Sequence, residues 1–130
     1  MGFGQYMAKE MMRELGNKSR EFFEFVMPAL DMYEDGSDLV VLIDLPGFSK
    51  QDISLRILEN VLSISAKRQR DEKTSAGAVY FQQRPLHINK KVPLPIKVTE
   101  EDQVLGSATY VDGVVTLRIP IPRYSTIPIS

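Results

Sequence analysis

Ser107-Ala108-Thr109-Tyr110-Val111-Asp112-Gly113-Val114-Val115-Thr116-Leu117-Arg118-Ile119-Pro120-Ile121 is the most informative stretch of the chain. Two runs rich in β-branched and apolar residues flank Asp112-Gly113. A two-residue hairpin of type I′ needs positive φ at both central residues, and Asp-Gly supplies this at low steric cost. The stretch therefore predicts an antiparallel hairpin, with Pro120 and Pro122 ending its second strand.

The same texture extends back to about residue 30. Leu30 to Glu34 reads as a short strand, and Asp35-Gly36-Ser37 as a turn. Leu39 to Leu45 is nearly all apolar, as a central strand buried on both faces would be. Pro46-Gly47 ends it. Ile53, Leu55 and Ile57 alternate with Ser54 and Arg56, which predicts a strand with one buried face. Glu59-Asn60 reads as a tight connection, after which Leu62, Ile64 and Ala66 alternate with Ser63, Ser65 and Lys67. Residues 68–78 are polar and without period, as in a flexible loop. Val79-Tyr80-Phe81 forms an apolar island, and Leu86, Ile88, Lys90, Val92 and Leu94 alternate again. About eight short strands with no helix between them predict an all-β fold, an antiparallel immunoglobulin-like β-sandwich.

The two ends differ. In residues 1–28, Met7, Met11, Leu15, Phe22 and Val26 share one helical face, so this segment reads as a helical arm. Gly16-Asn17 is expected to kink or break it, and Pro28 to stop it. Residues 29–122 form the sandwich domain, and residues 123–130 a tail that its prolines keep extended.

Composition narrows the function. The chain has 130 residues, 43% hydrophobic and 25% charged, enough for one domain with short extensions. Sixteen basic and 17 acidic residues give 16 − 17 = −1, which offers no electrostatic reason for a nucleic-acid partner. Without cysteine there is neither disulfide nor thiol chemistry. No run reaches transmembrane length, and Lys9, Glu10, Arg13 and Glu14 fall where a signal peptide would be apolar. In the arm, Lys9, Arg13, Lys18 and Arg20 balance Glu10, Glu14, Glu21 and Glu24, so anionic lipid has little hold on it. The expectation is a cytoplasmic, soluble protein without stable membrane association. The single histidine, His87, has no partners that would make it catalytic, and one His without Cys makes no metal cluster. Glu100-Glu101-Asp102 reads as a solvated turn. No phosphate loop is present, so no cofactor and no catalytic or metal residues are expected.

What remains is apolar surface at the ends. Met7, Met11, Leu15, Phe22, Phe23 and Val26 form a methionine- and phenylalanine-rich helix suited to varied partners, if it does not simply pack on its own sandwich. In the tail, Ile127 and Ile129 project to the same side and Pro128 limits the entropy lost on docking. Burying each isoleucine is worth roughly 1.5–3 kcal/mol, so one tail binds weakly and many bind strongly.

Three features now coincide in order. Pro46-Gly47-Phe48 follows the buried strand. Ala108-Thr109-Tyr110-Val111-Asp112-Gly113-Val114-Val115-Thr116-Leu117 resembles the A-x-x-x-n-G-V-L signature of the small heat-shock proteins, the α-crystallin family. Ile127-Pro128-Ile129 resembles that family's I-x-I tail. The layout is similar to that of the short prokaryotic and archaeal members.

The resemblance implies an ATP-independent holdase, not an enzyme, that binds unfolded client proteins and assembles with itself from dimers into larger homo-oligomers. It implies that Val79, Tyr80 and Phe81 pair with the partner's sandwich. Ile127, Pro128 and Ile129 would dock in a neighbour's groove lined by Ile53, Leu55, Ile57, Val104 and Ala108. Clients would bind through the arm. Asn89 stands where the family often has an arginine, Asp112 replaces the commoner Asn, and Val115 replaces Leu. Asp102, near the groove, is expected to weaken tail docking. The competing reading is a sandwich adaptor or co-chaperone for specific folded partners, which needs neither the tail motif nor the Met/Phe helix.

Overall fold

The computed structural model describes residues 3–70, 77–98, 106–122 and 128–130. The Asp-Gly hairpin is present: β5 (Ser107–Val111) pairs antiparallel with β6 (Val114–Pro120), from Ser107 opposite Arg118 to Val111 opposite Val114. Asp112 and Gly113 have φ of 52° and 78°, the left-handed pair that a tight hairpin needs.

β6 pairs on its other side with β2 (Asp38–Asp44), which in turn pairs with β1 (Leu30–Asp35). The order is β1-β2-β6-β5, all antiparallel. β2 is interior, as its apolar run predicts. Leu39, Val41 and Ile43 join the core. Val40, on the opposite face, lies in register between Tyr33 and Arg118 and is also fully buried.

The second sheet pairs β3 (Ile53–Lys67) with β4 (His87–Val98), from Lys67 opposite His87 to Val61 opposite Pro93. The inward faces of the two sheets close on one core. Leu62, Ile64 and Ala66 from β3 and Ile88 and Leu94 from β4 meet Val115, Leu117 and Ile119 from β6, with Leu45 and Phe48 completing the cluster.

Two expectations change. The connection at Glu59-Asn60 lies inside one continuous element, so six strands occur among the described residues instead of about eight. The chain still reorients there. Half-buried positions are odd before it (Ile53, Leu55, Ile57) and buried ones even after it (Leu62, Ile64, Ala66), with Glu59 at φ 56° and a register shift between Glu59 and Val61. A straight strand would keep one parity throughout.

Within this chain, Val79-Tyr80-Phe81 belongs to no strand. Finally, the arm does not break at Gly16-Asn17. α1 (Phe3–Val26) is one helix of 24 residues. A mid-helix glycine costs about 1 kcal/mol relative to alanine, and close packing at Gly16 accounts for its presence, as described below.

The two sequence blocks that looked informative separately are joined in space. Leu45 N–H donates to Gly113 O at 2.8 Å, and a Cβ on Gly113 would sit 3.1 Å from Pro46 Cα. The Tyr110 hydroxyl lies 2.5 Å from Leu45 O and 2.8 Å from Phe48 O, so its one proton serves both carbonyls of the Pro46-Gly47 turn.

Candidate binding surfaces

A surface helix ordinarily buries its apolar stripe and shows water its polar side. α1 does the reverse. Met7, Met11, Met12, Leu15 and Phe22 are 47–65% exposed, and Phe25 is 84% exposed. Val26 is also exposed, while Phe23 is half-buried and meets the Phe22 ring edge-on at 5.9 Å. The possibility that this stripe packs on its own sandwich is thereby removed.

The helix touches the rest of the chain through its other side. Gly16 is buried, and a Cβ there would come within 2.9 Å of Gln82 N and 3.2 Å of the Phe81 ring. The Glu24 carboxylate accepts hydrogen bonds from the Leu86 and His87 backbone N–H groups at 2.8 and 2.9 Å. Arg20 stands 3.8 Å from Glu24 and donates to Asn17 Oδ1 at 2.9 Å. Lys90 donates to Val26 O at 3.0 Å, joining the helix end to β4. Lys9 Nζ lies 5.4 Å from the Tyr80 ring centroid, within cation–π range. The sequence reading missed this polar latch. The available signal was Gly16 itself, since an isolated glycine in a helical pattern has a packing reason.

The latch holds the segment Val79-Tyr80-Phe81 against the arm. Val79 is half-buried, and Tyr80 and Phe81 are 49% and 44% exposed. Of the tail-groove residues, Ile53, Leu55 and Ile57 are half-buried against the core. Ala108 is exposed on β5, the outer strand of its sheet. Val104, Asp102 and Ile127 lie outside the described residues. Pro128 is exposed, and Ile129 is 98% exposed. Asn89 occupies an exposed position of β4 opposite Ser65.

His87 is exposed, with its backbone rather than its ring engaged by Glu24. Among the described residues no group of three His, Cys, Asp or Glu could hold a metal ion. No helix among them is long and apolar enough to cross a membrane.

The described residues form a β-sandwich whose first sheet ends on the outer strands β1 and β5, with an outward-facing apolar helix beside it. Residues 31–129 match the Hsp20/alpha crystallin family, and the chain belongs to that family. The family is one of small heat-shock chaperones, which are not enzymes.

The fold resembles the A102D mutant of hsp14.1 from Sulfolobus solfatataricus P2, with a TM-score of 0.72 and 44% identity over 95% of this chain and 97% of that one. The 18 kDa heat shock protein of Streptomyces albus G is 32% identical over 92 residues, covering 71% of this chain and 63% of the relative. Small heat shock protein C4 of Rickettsia felis is 26% identical over 98 residues, covering 75% of this chain and 58% of the relative. The chain thus spans less than two thirds of the length of these two relatives.

Proposed function

We propose that the protein is an ATP-independent holdase that captures unfolding chains and keeps them from aggregating. The observation that carries this reading is the inverted arm, which presents Met7, Met11, Leu15 and Phe22 to solvent in a folded chain. An unfolding client offers apolar side chains of no fixed geometry. Flexible methionines and adjacent aromatic rings can repack around many of them, and each buried side chain contributes roughly 1.5–3 kcal/mol.

Assembly would control access to that surface. Val79, Tyr80 and Phe81 would add to a partner's sandwich at an outer strand, making a dimer. Ile127 and Ile129, with Pro128 between them, would dock in a neighbour's groove beside Ile53, Leu55, Ile57, Val104 and Ala108. Such contacts are individually weak and collectively strong, so heating or a competing client releases them and frees apolar surface. Membership of the small heat-shock family supports this reading over an adaptor for folded partners.

The test is light scattering of a heat-labile client protein with and without the full chain, in the absence of nucleotide. The expected result is suppressed scattering at near-equimolar ratios. Unchanged scattering would turn the reading toward the adaptor. The double substitution Ile127→Ser with Ile129→Ser is expected to shift the assembly mostly to dimers in analytical ultracentrifugation, and large unaltered oligomers would remove the tail from the scheme.

A further inference from the structure

The outward stripe of α1 contains a regular seam. Ala8, Met11, Leu15, Lys18, Phe22 and Phe25 follow one another at alternating spacings of three and four residues, and all of them are exposed. That is the spacing along which one helix packs on another. At about 3.6 residues per turn the seam lies opposite Gly16, Arg20 and Phe23, which are buried or half-buried. The side of the helix that meets its own chain is therefore turned away, and the seam is open to a second body.

The two halves of the seam differ in size. Towards the N-terminus, Ala8, Met11 and Leu15 line a shallow groove of about 520 Å³. Towards the C-terminus, Phe22 and Phe25 stand out, 60% and 84% exposed. A surface with a groove at one end and two knobs at the other is complementary to itself when a second copy runs antiparallel. A twofold axis level with the peptide between Gly16 and Asn17 brings Phe25 of one copy opposite Ala8 of the other. It also brings Phe22 opposite Met11 and Lys18 opposite Leu15, because the members of each pair are equally far from that axis. The most exposed ring thus meets the smallest side chain.

Charge selects the same direction. Lys18 is the one charged residue on the seam. It stands 3.4 Å from Glu14 of its own helix, with the two side chains 73% and 70% exposed, a contact worth little in water. In the antiparallel pair each Lys18 stem crosses Leu15 of the other copy, and its ammonium comes beside that copy's Glu14. Two lysines and two glutamates then alternate. A parallel pair would set Lys18 against Lys18 and Phe25 against Phe25, and leave Ala8 facing Ala8.

We propose that α1 pairs antiparallel with α1 of a second copy through this seam. The displacement of that second helix by a client rests on the holdase reading, whereas the pairing does not. A helix of 24 residues is about 36 Å long, and a strip about 10 Å wide along it is roughly half of the ~800 Å² per partner in a stable interface. One pair is weak and reversible. Several pairs in one assembly hold together through multivalency. The second helix covers the stripe at rest and yields it to a competing apolar chain.

The test is disulfide trapping in the full chain, which has no cysteine of its own. Ala8→Cys with Phe25→Cys places two thiols about 25 Å apart on one helix, too far to bridge within it. Any bond therefore joins two chains. Under mild oxidation this variant is expected to form covalent dimers at least about tenfold faster than either single variant. The same excess is expected over Lys9→Cys with Phe25→Cys, because Lys9 lies off the seam. All three positions are exposed, and unchanged circular dichroism checks that the fold is kept. Trapping of Ala8→Cys alone at the rate of the double variant would mean parallel helices. No excess over the Lys9 control would mean that the seam takes no second helix. Either result overturns the proposal. No client is present, so the outcome is separate from that of the scattering experiment.

Discussion

In the sandwich, Leu39, Ile43, Leu62, Ile64 and Ile119 point inward and are at most 1% exposed; in the arm, Met11, Leu15 and Phe22 are at least 60% exposed. The arm meets the rest of the chain through Gly16, Glu24 and the carbonyl of Val26. The two regions are therefore held by different forces. Burial of apolar area is non-directional and cooperative, and it closes the sandwich as a unit. Hydrogen bonds and ion pairs net about 1 kcal/mol each because water competes for the same groups. A region held that way opens locally without unfolding its neighbour. An apolar surface presented on such a mount can be uncovered or repositioned while the scaffold stays folded.

Four substitutions test this contrast. The largest effect is expected from Ile64→Ala, which removes a fully buried side chain from between the sheets. It should cost roughly 2–5 kcal/mol, read from urea denaturation. A loss below about 1 kcal/mol would mean that the sheets do not enclose a close-packed core.

Next comes Glu24→Ala, which leaves the Leu86 and His87 amides without their carboxylate. Hydrogen bonds to a charged group are worth about 1.5–3 kcal/mol, so hydrogen exchange at those two amides should accelerate by about tenfold or more. Core amides of β2 should keep their rates. Equal acceleration in β2 would make arm and sandwich one cooperative unit and erase the distinction.

Gly16→Ala is informative through its sign. In a free helix it would stabilise by about 1 kcal/mol. In the docked arm the new Cβ meets Gln82 N at 2.9 Å, so the segment has to move. Faster exchange at Gln82 with undiminished helicity by circular dichroism is expected. A raised melting temperature with Gln82 unchanged would place the arm elsewhere. The smallest effect on stability is expected from Met11→Ser with Phe22→Ser, within about 0.5 kcal/mol because both are exposed. That pair should nonetheless weaken suppression of client aggregation, and retained suppression would move client capture off the arm.

Much of the sandwich was legible because its signals are local. Asp112-Gly113 announces its own φ angles, and the run from Leu39 to Leu45 announces a strand with neighbours on both sides. Alternation marked Leu62, Ile64 and Ala66 as inward. The corner at Glu59 was visible as an interruption, but period alone does not say whether the strand stops or reorients. The apolar stripe of α1 was equally visible, whereas the direction it faces depends on Gly16 meeting Gln82 and Glu24 meeting Leu86. Those contacts join residues more than sixty positions apart, beyond any local pattern.

The hairpin tip has a consequence for how this sequence can drift. Gly113 needs its positive φ, and its Cα hydrogen faces the Pro46 ring so closely that a methyl group there would intrude. Leu45 is tied to the same glycine through its amide, and Tyr110 clasps the turn from the other side. Two motifs that stand far apart in the chain are thus a single heritable unit. A substitution in one therefore has to be accommodated by the other.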